Sequence, residues 1–166
     1  MDKIVFKPIG TIYSPYTKPE GTPIQPSAAG DIQGKVEIYP EYSKGLKDID
    51  GFSHIILIYY FHLCSGQKLE VIPFMDTTLR GVFATRAPCR PNPIGISTVR
   101  LEKIEGNILF VRGIDAVNGT PLLDIKPYVP EFNSPGSFKI GWLKERIHKL
   151  GTSRDDGRFI KEVPKK

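Results

Sequence analysis

A chain of 166 residues with 40% hydrophobic and 25% charged residues has the composition of one folded domain, large enough to bury a core, which excludes disorder. Lys and Arg outnumber Asp and Glu by 23 to 18, an excess compatible with nucleic acid but equally ordinary for a cytosolic enzyme. The longest apolar run, residues 55–61, is strand-sized and well short of the roughly 20 residues of a spanning helix, so no membrane partner is expected.

The opening Met-Asp-Lys-Ile-Val-Phe lacks signal-peptide architecture, which predicts a cytoplasmic protein. Residues 3–14 read as a first strand, with Pro8 marking an edge or bulge because proline cannot donate to a ladder. Residues 15–30 shift to Pro, Thr, Gly and Ser, a long loop of the kind that in compact domains is functional or disordered. Strict alternation resumes at residues 34–39, and residues 41–50 can make one or two helical turns that pack Leu46 and Ile49. Residues 52–62 are apolar on both faces, as at the centre of a fold. Residues 69–73 make another short strand. Residues 80–86 alternate toward one more, with Val82 and Ala84 opposite Phe83 and Thr85. Residues 97–104 and 108–114 form a hairpin around Glu105-Gly106-Asn107, and Asn118-Gly119 turns the chain into a strand at 120–128. Ser137 caps a helix through about Leu150 that turns Trp142, Leu143, Ile147 and Leu150 inward, with Gly151 as its stop. The residues ending Pro164-Lys165-Lys166 should fray. About seven short strands without βαβ alternation predict a single mainly β domain over 1–166, a closed or nearly closed antiparallel barrel with a C-terminal helix.

The stretch from Arg80 to Ser97 holds the densest chemistry. Pro88, Pro91 and Pro93 exclude helix and stiffen the loop before anything binds. On that frame sit two guanidinium groups, Arg86 and Arg90, the amide of Asn92 and the thiol of Cys89. The loop reads as a preorganised site for an anion or a nucleobase, and equally as a proline-rich connector with solvated arginines. Cys64 and Cys89 lie 25 positions apart in no metal-like spacing, so both are expected to stay reduced. His54, His62 and His148 are scattered, and no metal site is expected. Asp115 ends the second hairpin strand, where a carboxylate can accept vicinal hydroxyls or simply initiate a turn. His62 ends the central strand. Asp124 and Lys126 share one face, which makes them a solvated ion pair outside a barrel or a site candidate inside one.

Gly81-Val-Phe-Ala-Thr-Arg86, Arg90-Pro-Asn-Pro-Ile-Gly95, Asp115 through Gly119-Thr-Pro121, and Asp124-Ile-Lys-Pro-Tyr128 together resemble the TsaA/TrmO-like family. The likeness also takes in Ile9-Gly-x-Ile12 with Ser14-Pro15, and Gly51-Phe-Ser-His54, over roughly residues 8–130 in consistent order. Family members are β-barrel methyltransferases acting on transfer RNA. The resemblance implies S-adenosylmethionine as methyl donor, a non-Rossmann barrel that binds it, and a homodimer. The implied product is N6-methylated N6-threonylcarbamoyladenosine at position 37 of threonine tRNA. Carried over residue by residue, the cofactor pocket maps to Pro26, Ser27, Ala28, His62, Leu63, Arg86, Ile96, Arg112, Gly113, Ile114 and Asp115. Arg90, Asn92 and Lys126 are the expected RNA-binding groups. Asp124 is the first candidate to accept the departing N6 proton and Asp115 the second. Asp156-Gly-Arg-Phe159 resembles the ending of the family's short form, which lacks the extra C-terminal domain of longer bacterial members. Two rival readings remain in view: a methyltransferase of the same fold with a small-molecule acceptor, and a non-catalytic RNA-binding barrel.

Overall fold

The computed structural model describes residues 3–133 and 136–160, so the expected fraying of Pro164, Lys165 and Lys166 lies outside the described residues. Among the described residues eight strands form: β1 Gly10–Tyr13, β2 Gln33–Ile38, β3 His54–Tyr60, β4 Glu70–Val71, β5 Arg80–Gly81, β6 Ile94–Glu105, β7 Ile108–Arg112 and β8 Thr120–Pro127. Six of them close an antiparallel barrel in the order β1-β2-β7-β6-β3-β8, and β4 pairs β5 in a separate two-stranded sheet. The expected barrel is therefore present, with six staves rather than seven.

The barrel closes because alternate residues of each stave are apolar and meet inside. Ile12, Val36, Ile38, Ile55, Leu57, Val99, Leu109, Val111 and Leu122 are all buried in one cluster. Fully burying each such side chain is worth about 1.5–3 kcal/mol, so this cluster is the main source of stability. The strand β3 runs between β6 and β8, in register from His54 opposite Arg100 to Tyr60 opposite Ile94. Opposite it, β8 carries a register shift between the partners of Ile58 and Tyr59. The shift leaves Leu122 inside while Asp124 pairs with outward-facing Ile58. Asp124 and Lys126 thus share the outer face as a partly exposed ion pair at 2.7 Å.

Four elements differ from the expectation. The first strand is confined to Gly10–Tyr13, although the Ile9 N–H still donates to the Leu122 carbonyl at 2.8 Å. Residues 80–86 form a strand only at Arg80–Gly81 and then tighten into a 3-10 turn, Val82–Ala84, which buries Val82 and leaves Phe83 out. The expected helix from Ser137 is instead two 3-10 turns, Gly141–Glu145 and Ile147–Lys149. Gly141 takes a left-handed φ of 54°, and the Trp142 indole N–H donates to the Ala84 carbonyl at 2.9 Å, so tertiary anchors override the helical period. Finally, Cys64 and Cys89 form a disulfide rather than two thiols, with Cα atoms 5.4 Å apart. The fold brings both loops into a second apolar cluster with Val71, Val82, Ala87 and Phe159. No helix of the described residues is long and apolar enough to cross a membrane.

Candidate active site

A cavity of about 640 Å³ opens at one end of the barrel, a volume typical of small-molecule sites. Its walls come from the loop after β1, the loop after β3, the proline-stiffened stretch before β6, the β7–β8 connection and the C-terminal segment. That segment is stitched across the others. Asp155 and Thr22 exchange backbone contacts with their neighbours at 2.7 and 2.8 Å, from the Gly21 N–H to Asp155 O and from the Asp155 N–H to Thr22 O. Phe159 packs edge-on against Phe74 at 5.3 Å, and the Cys64–Cys89 disulfide ties the His62–Leu63 wall to the Arg86–Arg90 wall. The stiffness expected of this loop therefore has two sources, proline and a covalent bond.

Three strand-borne or strand-end groups meet at the cavity floor, Tyr59 and Asp115 lining it and Ser97 joining them from beneath. Asp115 follows β7, and its backbone is pinned because the Ser14 hydroxyl donates to the next carbonyl, that of Ala116, at 2.6 Å. Its carboxylate accepts the Ser97 hydroxyl at 2.6 Å. Ser97 in turn lies 2.9 Å from the Tyr59 hydroxyl, and both are buried. Burial pushes the Asp115 carboxyl up to about 7, against the opposing pull of the Ser97 hydrogen bond and the Arg86 charge. Burial likewise raises the Tyr59 phenol far above its ordinary range, so it stays a neutral donor. The Arg86 guanidinium donates to Gln25 Oε1 at 2.7 Å, which joins the first loop to the Arg80–Ser97 stretch.

The cavity brings together Ser27, His62, Leu63, Arg86, Arg90, Ile96 and Asp115 among the expected site residues. Arg90 also donates to the Thr85 carbonyl at 3.2 Å. Pro26 and Ala28 flank Ser27 in a 3-10 turn without lining the cavity. Gly113 sits just behind that turn: its φ is 80°, and a Cβ there would point 3.8 Å from the Pro26 carbonyl. Ile114 is fully buried in the barrel core, and Arg112 pairs with Glu102 and, at 3.9 Å, with Asp31. Asn92 is exposed at the loop tip, outside the lining, as are Asp124 and Lys126 on the barrel's outer face. Trp142, Leu143, Ile147 and Leu150 do face inward, where they form the apolar wall. Tyr59, Ser97 and Gln25 escaped the sequence reading. A signal for the first two existed, since each is a hydroxyl at an inward position of an otherwise apolar stave.

Chemically, a buried carboxylate near neutrality, a guanidinium, an imidazole-bearing loop and an apolar wall suit an organic ligand with hydroxyl and charged ends. The family model described as the tRNA-methyltransferase O N-terminal domain matches residues 11–134. A protein of Pyrococcus abyssi described as "Probable S-adenosyl-L-methionine-binding protein" is 60% identical over 157 residues, covering 95% of this chain and 85% of its own length. The human tRNA (adenine(37)-N6)-methyltransferase is 38% identical over 142 residues, covering 80% of this chain and 32% of its own length. The crystal structure of TrmO from Pseudomonas aeruginosa superposes with a TM-score of 0.71 at 37% identity, over 85% of this chain and 63% of that one. The chain thus spans most of the archaeal relative, under two thirds of the solved bacterial chain and about a third of the human enzyme.

Proposed function

The chain belongs to the family of the tRNA-methyltransferase O N-terminal domain, and from that premise we propose that it is an S-adenosylmethionine-dependent methyltransferase of adenosine 37 in tRNA. The observation that carries this reading is the convergence of Ser27, His62, Leu63, Arg86, Ile96 and Asp115, from four separated segments, on one cavity. The donor set fits the cofactor: Asp115 is anionic when ionised, Arg86 suits a carboxylate, and the apolar wall suits a ring. Held by Arg86 and Asp115, S-adenosylmethionine would supply an already activated methyl group for N6 and would leave as S-adenosylhomocysteine. Arg86, braced by Gln25, orients, while the disulfide-tied walls exclude water. The N6 nitrogen must lose its proton as the new bond forms. Of the two candidate carboxylates, Asp115 lines the cavity and Asp124 is paired with Lys126 outside it, so the proton is given to Asp115. A group titrating near 7 suits that task.

The finer reading follows the family likeness: the acceptor is N6-threonylcarbamoyladenosine in threonine tRNA, with Arg90 and Asn92 meeting RNA oxygens and Lys126 a further basic contact. The protein works as a homodimer, for which exposed Tyr60, together with Phe83 and Ile96 at the cavity's own wall, offers apolar surface. It acts in the cytoplasm, where its tRNA substrate is found. The test is nucleoside mass spectrometry on tRNA incubated with the purified chain and S-adenosylmethionine. One added methyl on threonylcarbamoyladenosine is expected. Cofactor binding without any RNA product would turn the reading toward a small-molecule acceptor, and RNA binding without cofactor toward a binding module.

A further inference from the structure

We propose that Tyr59 and Ser97 are positioning residues for Asp115, a relay of two buried hydroxyls that commits one carboxylate oxygen and leaves the other for the cavity's ligand. The direction of the relay follows from the proton count. Ser97 has a single hydroxyl proton and gives it to Asp115 Oδ1 at 2.6 Å. The Tyr59 phenol, 2.9 Å away, must therefore donate into the Ser97 oxygen. No buried side-chain oxygen or nitrogen among the described residues is left without a partner, so the relay is complete.

The relay also gives the glycine of the Arg90-Pro-Asn-Pro-Ile-Gly95 motif a physical role. Tyr59 pairs directly with Gly95, and a Cβ at Gly95 would lie 2.2 Å from Tyr59 Cε2, 2.6 Å from Cζ and 2.8 Å from Phe61 Cζ. Only a residue without a side chain lets the Tyr59 ring lie across β6 and carry its hydroxyl to Ser97, two positions further along. Phe61 packs edge-on against the same ring at 5.4 Å. A motif glycine thus acts through a tyrosine and a serine on a carboxylate elsewhere in the chain.

Charged and titratable groups reach Asp115 from several elements, among them Arg86 in the loop before β6, Tyr59 on β3 and Tyr16 in the loop after β1, and His62 of the loop after β3 lines the same cavity. Arg154 of the C-terminal segment acts on Tyr16 in turn. Arg86 is a cation acting on Asp115, and its guanidinium is also held by Gln25. The Ser97 hydrogen bond is therefore the main support of the ionised carboxylate, and without it burial is opposed by a hydrogen bond from the backbone N–H of Asp115 itself and by Arg86.

The test titrates Asp115 directly, by ¹³C NMR on protein labelled at the aspartate carboxyl carbons, with Asp115→Asn to assign the signal. Ser97→Ala is expected to raise the Asp115 midpoint by roughly one to two pH units, the worth of a hydrogen bond to a charged group. Tyr59→Phe keeps the ring and its packing, guards against misfolding of the serine variant, and is expected to shift the midpoint the same way by less. An unchanged or lowered midpoint in both variants overturns the proposal. The catalytic consequence rests on the methyltransferase reading: the pH–rate profile of methyl transfer should move by the same amount as the NMR midpoint. If the NMR midpoints move as expected while the wild type methylates no RNA, the relay stands and the functional reading falls.

Discussion

Opening the Cys64–Cys89 disulfide should destabilise the chain by about 3.5 kcal/mol. The bond closes a loop across a sequence separation of 25, and the chain-entropy relation for that length gives this figure at room temperature. In a chain of 166 residues each kcal/mol moves the melting midpoint by about 2–4 °C, so a fall of about 7–14 °C is expected. The loss should fall first on the satellite cluster of Val71, Val82, Ala87 and Phe159, which the bond pins together, and leave the barrel core intact. Thermal melts of the native protein, of the protein held in a small phosphine reductant, and of a Cys64→Ser/Cys89→Ser variant measure it. Alkylation followed by intact mass establishes the starting state, since the bonded cysteines take no label until reduced. Both thiols labelling in the unreduced native protein would refute the bond itself. An intact bond whose reduction leaves the melting midpoint unmoved would refute the loop-closure reasoning.

Gly95→Ala forces a methyl into the Tyr59 ring, and overpacking of this kind costs about 1–3 kcal/mol; urea denaturation measures it. Arg90→Ala should abolish most RNA methylation while S-adenosylmethionine titration shows affinity largely retained, and a lost cofactor affinity would move Arg90 to the cofactor side. The raised Asp115 pKa has a defined sign in stability: the folded state holds its proton more tightly, so stability is fullest below the unfolded value of about 4 and declines as pH rises through about 7. Asp115→Asn lacks that decline and should be more stable than wild type by about 4 kcal/mol at pH 8, with no gain near pH 4, in paired melts at the two pH values.

Much of the barrel was legible in local pattern. Alternation marked β2, the doubly apolar run marked β3, and Glu105-Gly106-Asn107 announced the β6–β7 hairpin, where Gly106 indeed takes a left-handed φ of 61°. The inward set Trp142, Leu143, Ile147 and Leu150 was read correctly from a helical period that the segment does not adopt. Trp142 is anchored to the Ala84 carbonyl, and the four side chains still line the cavity without the helix. Asp124 and Lys126 show the converse. Their shared face was evident, but inside or outside depended on the register shift between β3 and β8, which no local pattern encodes.

The sequence by itself determined the antiparallel β class, the β6–β7 hairpin and the stiff arginine-bearing stretch before β6, because periodicity, turns and proline are local properties of the backbone. Its literal motifs also pointed to the family. Only the tertiary structure decided which groups meet: Cys64 with Cys89, Trp142 with Ala84, Arg86 with Gln25, and Tyr59 with Ser97 and Asp115. Barrel closure is the physical reason. It brings residues 38 positions apart in Tyr59 and Ser97, and 61 apart in Gln25 and Arg86, within hydrogen-bond range, and burial there, rather than residue type, gives Asp115 its chemistry.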